Sequence, residues 1–203
     1  MMGDKPRVKP LRRDEWSPLL RVLLSIMPGG TAEPMNIFTT LARHPSLFRS
    51  WLGFGAGLLA GRLSARDREL AILRTAKRCG CEYEWHHHYP FAIEAGITEG
   101  ELAAIDPAHV DFAWAEGDQL VLDAVDELSA SHTISDATWA KLAARYDDAC
   151  LIELTMLVGH YHMVAFTLNA LRVQPEQGLT DRPRVLSRRA SLLRAALRRL
   201  SAR

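Results

Sequence analysis

Three cysteines, Cys79, Cys81 and Cys150, are all that the 203 residues contain. A number so small and odd cannot staple a disulfide scaffold, so a reducing compartment is expected. Long apolar runs are missing as well. The longest weakly polar stretch, Trp51–Gly61, falls far short of the ~20 residues that a membrane span needs. The basic start lacks the apolar core of a signal peptide, and the apolar stretch Leu19–Met27 is interrupted by Arg21. No β-hairpin pattern occurs. These absences argue against a secreted, membrane-spanning or collagen-like protein. What is present is ordinary. The 48% hydrophobic and 24% charged residues separate the chain from disordered sequences, and its length suits one domain burying roughly 70% of its unfolded surface. A cytoplasmic globule is expected.

The formal net charge of +1 conceals an asymmetry. Residues 1–13 carry five basic groups (Lys5, Arg7, Lys9, Arg12, Arg13) against Asp4, and residues 182–203 carry eight arginines and no acid. The body between them holds 12 basic and 23 acidic residues, a formal charge of −11. Basic tails on an acidic body can hold nucleic acid or anionic lipid, or lie on the acidic face of their own or a neighbouring subunit. No aromatic interleaving or nucleic-acid motif accompanies the arginines, so nucleic acid is not the expected partner.

Helical signals dominate. Leu19–Met27 reads as a short helix stopped by Pro28-Gly29-Gly30, followed by Asn36–Arg43 and Ser46–Ala60, with Pro45 at the start of the latter. Ser64-Ala65-Arg66-Asp67 has capping-box spacing and opens a helix to about Arg78, which Cys79-Gly80 breaks. Glu82–Ala95 is the next helix and Gly96 its left-handed cap. Thr98 caps a short helix ending near Asp106-Pro107, and Glu116–Ser131 and Ser135–Ala144 follow. The long helix Asp147–Arg172 is apolar on nearly every face, which predicts a central, buried position. Gln174–Pro183 reads as a linker, and Leu186, Ala190, Leu193, Leu197 and Leu200 form one stripe of a final arginine-rich helix. The fold class is all-α, with one helical domain over 15–175 and a linker with a basic C-terminal helix over 176–203.

Two patterns imitate ligand sites. Gly55-Ala56-Gly57-Leu58-Leu59-Ala60 matches the dinucleotide fingerprint GxGxxA, but no strand precedes it, and that fingerprint works only between a strand and a helix N-terminus. Gly53, Gly57 and Gly61 recur every four residues and suit close packing of one helix on another. His86-His87-His88 are helical neighbours pointing about 100° apart, so they cannot converge on one metal. A metal held by His88, Glu84 and His160 is conceivable but lacks a full ligand set. No metal and no organic cofactor are expected.

The chemistry concentrates between Arg66 and His88. With Cys81 at the first turn of its helix, Glu84 follows three residues on and His88 seven. At about 100° per residue these three share one face, whereas His86 and His87 point away. Glu84 and His88 stand at i, i+4 and can touch. A cysteine at a helix N-terminus meets the positive dipole end, which favours thiolate, although Glu82 and Glu84 oppose this. Glu69, beside Ile72, Leu73 and Ala76 on the preceding helix, is expected to be desolvated, with its pKa raised toward neutrality. Plainer explanations exist for each: a small buried hydrophobe, a surface ion pair, and pairing of Glu69 with an arginine such as Arg66. Their coincidence on adjacent helices favours a site. His160 and Tyr161 on the long helix are secondary candidates for lining it, or core residues satisfied by hydrogen bonds.

The run Leu63-Ser64-x-Arg66-Asp67-Arg68-Glu69-Leu70-Ala71-Ile72-Leu73, then Cys81-Glu82-Tyr83-Glu84-Trp85-x-x-His88, then Ala95-Gly96-Ile97-Thr98, resembles the carboxymuconolactone decarboxylase family, which includes the alkylhydroperoxidase D branch. The resemblance implies an all-helical, obligately homo-oligomeric fold with a pocket between helices, no organic cofactor and a small-molecule substrate. In the peroxidase branch a glutamate is followed twelve residues later by Cys-x-x-Cys and then by a histidine four further on. Glu69, Cys81 and His88 occupy three of those places. Glu84 stands where the second cysteine would be, and it cannot cycle as dithiol and disulfide. The expected function is therefore acid–base catalysis by His88, Glu84 and Glu69 on a small organic acid or lactone, with Cys81 as a polar wall or auxiliary acid. Its alternatives are a thiol-dependent hydroperoxide reductase with Cys81 as the reactive thiol, and a non-catalytic oligomeric binding module with basic tails.

Overall fold

The computed structural model describes residues 5–27, 30–106, 108 and 112–176. The basic C-terminal helix expected over 186–200 lies outside the described residues. Within them the protein is entirely helical: a 3₁₀ turn at Arg13–Glu15, then α1 (Pro18–Ser25), α2 (Asn36–Leu41), α3 (Pro45–Leu59), α4 (Ala65–Arg78), α5 (Glu82–Glu94), α6 (Glu99–Ala104), α7 (Glu116–Ser131), α8 (Asp136–Arg145) and α9 (Asp148–Leu171). The chain divides into two compact units, 1–60 with 167–203, and 61–166.

In the first unit, Ser17 caps α1 by accepting from the Leu20 N–H, and Pro18 stands at its first turn, where a missing N–H costs nothing. Trp16, Leu20, Leu24, Ala42 and Phe48 make its core. Phe38 and Trp51 close a ring cluster on Phe48 at centroid distances of 6.4 and 6.1 Å. The GxGxxA match falls in α3, with no strand before it among the described residues. The expected tight packing of its glycines is not found. A Cβ on Gly53 or Gly57 would meet open space, whereas Gly61, in the second unit, lies against the Glu153 carboxylate. Spacing alone could not say whether a glycine ridge meets a neighbour.

The second unit is built around α4, which packs on α5 and α7. Ser64 caps α4 by accepting from the Asp67 N–H at 3.0 Å. From Asp67 to Ala76 every residue of α4 is buried, charged ones included. Each buried charge is paired, as burial demands. Arg145 reaches Asp67 at 2.8 Å, Arg74 reaches Asp126 at 2.5 Å, and Arg66, beside them, forms ion pairs with Asp118 and Glu101. Two glycines carry the turns that frame α5. Gly80 (φ +56°) and Gly96 (φ +82°) each end a helix with paired reverse bonds: Cys81 N–H to Ala76 O and Gly80 N–H to Lys77 O, then Ile97 N–H to Ala92 O and Gly96 N–H to Ile93 O. A left-handed residue at this position is natural for glycine and strained for others.

One expectation is reversed. α4, not α9, is the helix buried all round. α9 buries Leu154, Leu157, Val158, Tyr161, Val164 and Ala165 but exposes Ile152, Met156, Met163 and Phe166. Apolar composition shows that a helix avoids water, not which surface covers it. Among the described residues, α9 is also the one helix long and apolar enough to cross a membrane by length and composition, although Trp51–Gly61 had been the longest weakly polar run in the sequence.

Candidate functional site

The Schellman turn at Gly80 sets α5 directly behind α4, so residues 69 and 88 meet although 19 positions separate them. His88 Nδ1–H donates to Glu69 Oε2 at 2.8 Å. The other carboxylate oxygen of Glu69 accepts from Arg68 Nε at 3.3 Å. On the far side of the ring, Nε2 lies 3.1 Å from the Tyr161 hydroxyl and 3.5 Å from Glu84 Oε2. When the ring is neutral the phenol donates to Nε2; when it is charged, Nε2–H donates to the phenol oxygen or the carboxylate. The His88 and Tyr161 rings meet edge to face, with centroids 5.1 Å apart at 88°, and Phe91 adds a third ring at 5.6 Å. Glu69 is only 1% exposed, and Arg68, Glu84, His88 and Tyr161 are buried with it.

Electrostatics follow from this enclosure. Burial by itself would lower the His88 pKa, but the Glu69 charge and hydrogen bond, with Glu84 behind them, outweigh it and raise the value above the ordinary 6.5. Burial raises the Glu84 carboxyl; His88 and His87 pull it back, and Glu69 pushes it further up. Burial, then the charges of Glu84 and Glu69, hold the Tyr161 phenol well above its usual range. Two carboxylates, an imidazole and a phenol thus form one buried cluster, with Arg68 supplying a further positive charge.

Of the four residues singled out in the sequence, Glu69, Glu84 and His88 converge directly. Cys81 sits at the edge of the cluster, at the N-cap of α5, buried at 2% exposure. To the opposed influences of the helix terminus and the neighbouring acids the structure adds a third, burial. Burial pushes this thiol up to about 12; the charges of Glu84 and Cys79 add to the rise, and the N–H groups of Glu84 and Tyr83 counter it only in part. Glu69 pairs with Arg68, whereas Arg66 is engaged with Asp118 and Glu101. His87 does not point into water: it is buried, stacks on Tyr83 with ring centroids 4.4 Å apart, and contributes to the Glu84 field. Tyr161 turns out to be a member of the cluster. Its signal was a phenol on a largely apolar helix, where a buried hydroxyl needs a partner that the sequence does not name. His160 lies beside it, ring centroids 5.4 Å apart, and burial followed by the His88 charge lowers its pKa to about 4. Among the described residues no group of three or more His, Cys, Asp or Glu has the arrangement to hold a metal ion, so His88, Glu84 and His160 do not make one.

The helical fold is similar to that of solved AhpD-like proteins. Residues 45–122 match the carboxymuconolactone decarboxylase family, and α3 to the first turns of α7, with all of Glu69, Cys81, Glu84 and His88, lie in that match. No curated protein sequence matches the chain. Among solved structures, the alkylhydroperoxidase AhpD core protein from Ralstonia eutropha JMP134, an uncharacterized peroxidase-related protein, is similar at TM-score 0.75 and 16% identity, over 87% of this chain and 95% of that one. A peroxidase-related protein from Silicibacter sp. TM1040 is similar at TM-score 0.74 and 14% identity, over 91% and 100%. The debrominase Bmp8, solved as a cysteine-to-alanine variant in complex with 2,3,4-tribromopyrrole, is similar at TM-score 0.70 and 16% identity, over 98% and 99%.

Proposed function

We propose that this protein is a carboxymuconolactone decarboxylase-type enzyme that moves protons with its own side chains on a small organic acid or lactone. The observation that carries the reading is His88 gripped at Nδ1 by Glu69 while Nε2 faces both Tyr161 and Glu84. His88 is the general acid and base, Glu69 fixes its tautomer and stabilises its charged form, and Tyr161 with Glu84 replenishes the Nε2 proton. In a decarboxylation, the bond to the substrate carboxylate breaks and its electron pair passes into the conjugated carbonyl. Carbon dioxide leaves, and the Nε2 proton is delivered to the carbanionic carbon. In an isomerisation the same nitrogen removes a proton from one carbon and returns it to another. A thiol with its pKa near 12 serves here as a neutral wall.

His88→Gln, assayed on a panel of small lactones and β-keto acids, tests this. Loss of turnover with retained helical circular dichroism is expected; unchanged turnover of a substrate that the parent accepts removes the mechanism.

One observation favours a second reading. Cys81 lies next to Glu84 with the Tyr83 and Glu84 N–H groups turned to its sulfur, in a fold shared with peroxidase-related proteins. There the Cys81 thiolate, deprotonated through His88 and Glu69, attacks the terminal peroxide oxygen. The O–O bond breaks, the alkoxide takes its proton from His88, and Cys81 is left as sulfenic acid. Glu84 cannot resolve it, so an external thiol must reduce it. Sulfenic acid trapped at Cys81 under stoichiometric hydroperoxide, and lost in Cys81→Ser, would favour this reading over the first.

A further inference from the structure

Of the arginines that α4 draws into its packing, two commit every guanidinium nitrogen to the protein. Arg66 donates from Nε to Asp118, from Nη1 to the Gly96 carbonyl, and from Nη2 to Glu101 and Asp118. Arg74 donates from Nε and Nη2 to Asp126 and from Nη1 to the Ile105 carbonyl. Arg68 stands between them in the sequence and is buried deeper still, at 6% exposure. Yet it makes one hydrogen bond among the described residues, from Nε to Glu69 Oε1 at 3.3 Å. Its terminal nitrogens, Nη1 and Nη2, donate to none of those residues. Neither is sealed in, for both keep a little accessible surface.

A buried guanidinium ordinarily has its N–H groups filled. An end left open presents two parallel N–H groups at the spacing of a carboxylate's two oxygens. The balance of charge points the same way. Glu69 is one anion shared by two cations, Arg68 and protonated His88, and burial pushes the Glu84 carboxyl toward its neutral form. The cluster is thus short of one anion. Burial and the carboxylates of Glu69 and Glu84 act more strongly on His88 and Tyr161, but the Arg68 charge is felt at both, which sets the guanidinium in the same cluster.

We infer that Nη1 and Nη2 of Arg68 bind a carboxylate of the substrate, and one that the reaction leaves in place. A carboxylate that departs as carbon dioxide gives up its charge on the way to the transition state, so a guanidinium held on it would favour the bound acid instead. The geometry agrees. Arg68 meets His88 through Glu69, on the Nδ1 side, whereas protons are exchanged at Nε2, across the ring. The substrate therefore carries its anchoring carboxylate apart from its reacting carbon. The inference rests on the acid–base reading of this site and names the group by which that chemistry holds its substrate.

Binding is read without turnover, so its failure and that of the acid–base mechanism are separate results. The full-length parent is titrated at about pH 6, below the raised pKa of His88, with acetate, propionate and benzoate and with the three corresponding amides. The side-chain N–H signals of Arg68 and the ring signals of His88 are followed by NMR. At least one carboxylate should move both sets of signals to saturation, and no amide should. Arg68→Lys keeps the charge without the fork and should weaken that binding about tenfold; Arg68→Gln should weaken it about a hundredfold. Should a variant lose its helical circular dichroism, the parent's own contrast between carboxylate and amide decides the matter. No saturable binding of any of the three carboxylates, an equal response to acid and amide, saturation that moves another arginine and leaves Arg68 still, or unchanged affinity in a folded Arg68→Gln would each overturn the inference. Carboxylate bound at Arg68 in a protein whose His88→Gln variant keeps its turnover would retain the binding site and discard the mechanism.

Discussion

Replacing Glu69 with glutamine keeps the shape of the side chain and removes its charge, and the consequences can be worked from the contacts. Glu69 accepts from His88 Nδ1 and from Arg68 Nε, and all three residues are buried. The amide offers one oxygen and turns an NH₂ group toward the other partner, leaving a buried cation without its anion. Breaking a buried pair in this way costs about 3–5 kcal/mol, within the roughly 5–15 kcal/mol that holds a domain together, so the variant should fold with a lowered midpoint. The loss should depend on pH. His88 has a folded pKa above its ordinary 6.5, so its contribution to stability is fully present below 6.5 and disappears as pH rises through the raised value. Glu69→Gln removes that contribution. Its penalty should be largest below pH 6.5 and shrink, once His88 is neutral in the parent, to the part owed to Arg68. In the variant, burial and the Arg68 charge act on His88 against Glu84 alone, and its pKa should fall. Urea unfolding near pH 5 and near pH 9, with the His88 ring followed by NMR, measures both effects. A penalty that stays constant with pH, or a His88 that titrates as high in the variant as in the parent, would refute the reasoning.

Tyr161→Phe removes the hydroxyl 3.1 Å from Nε2 and leaves the ring, so stability should fall by about 1 kcal/mol while turnover of any substrate the parent accepts falls about a hundredfold. Cys81, with its pKa near 12, should alkylate at neutral pH about a thousandfold more slowly than an unperturbed thiol, measured by mass spectrometry in a Cys79→Ser, Cys150→Ser background; labelling at the unperturbed rate would contradict the burial argument. His160 titrates at about 4 when folded against 6.5 when unfolded, so the stability it confers is present above 6.5 and lost as pH falls toward 4, by up to about 3 kcal/mol. His160→Gln should flatten that acid limb in urea midpoints.

Much of the helical layout could be read from single residues. Ser64 and Thr98 accept the N–H bonds their positions promised, and Gly96 takes the left-handed conformation its place after Ala95 required. Glu84 and His88 meet because i, i+4 is a local relation that α-helix geometry alone enforces. The net shift of Cys81 could not be read, because the dipole at a helix start and the neighbouring acids can be seen in a sequence and desolvation cannot. α9 was placed at the centre because apolar residues cover all its faces; part of that coverage looks outward.

Periodicity and capping belong to the backbone within a few residues, so helix boundaries, the all-α class and the shared flank of Glu84 and His88 were decided by the amino-acid order alone. Docking of one helix on another decided the rest: that Glu69 grips Nδ1, that Arg68 rather than Arg66 is its cation, that a phenol 73 positions away completes the relay, and that the thiol stays protonated. Each of these depends on which faces meet and how much water is expelled between them, and no spacing along the chain encodes that quantity.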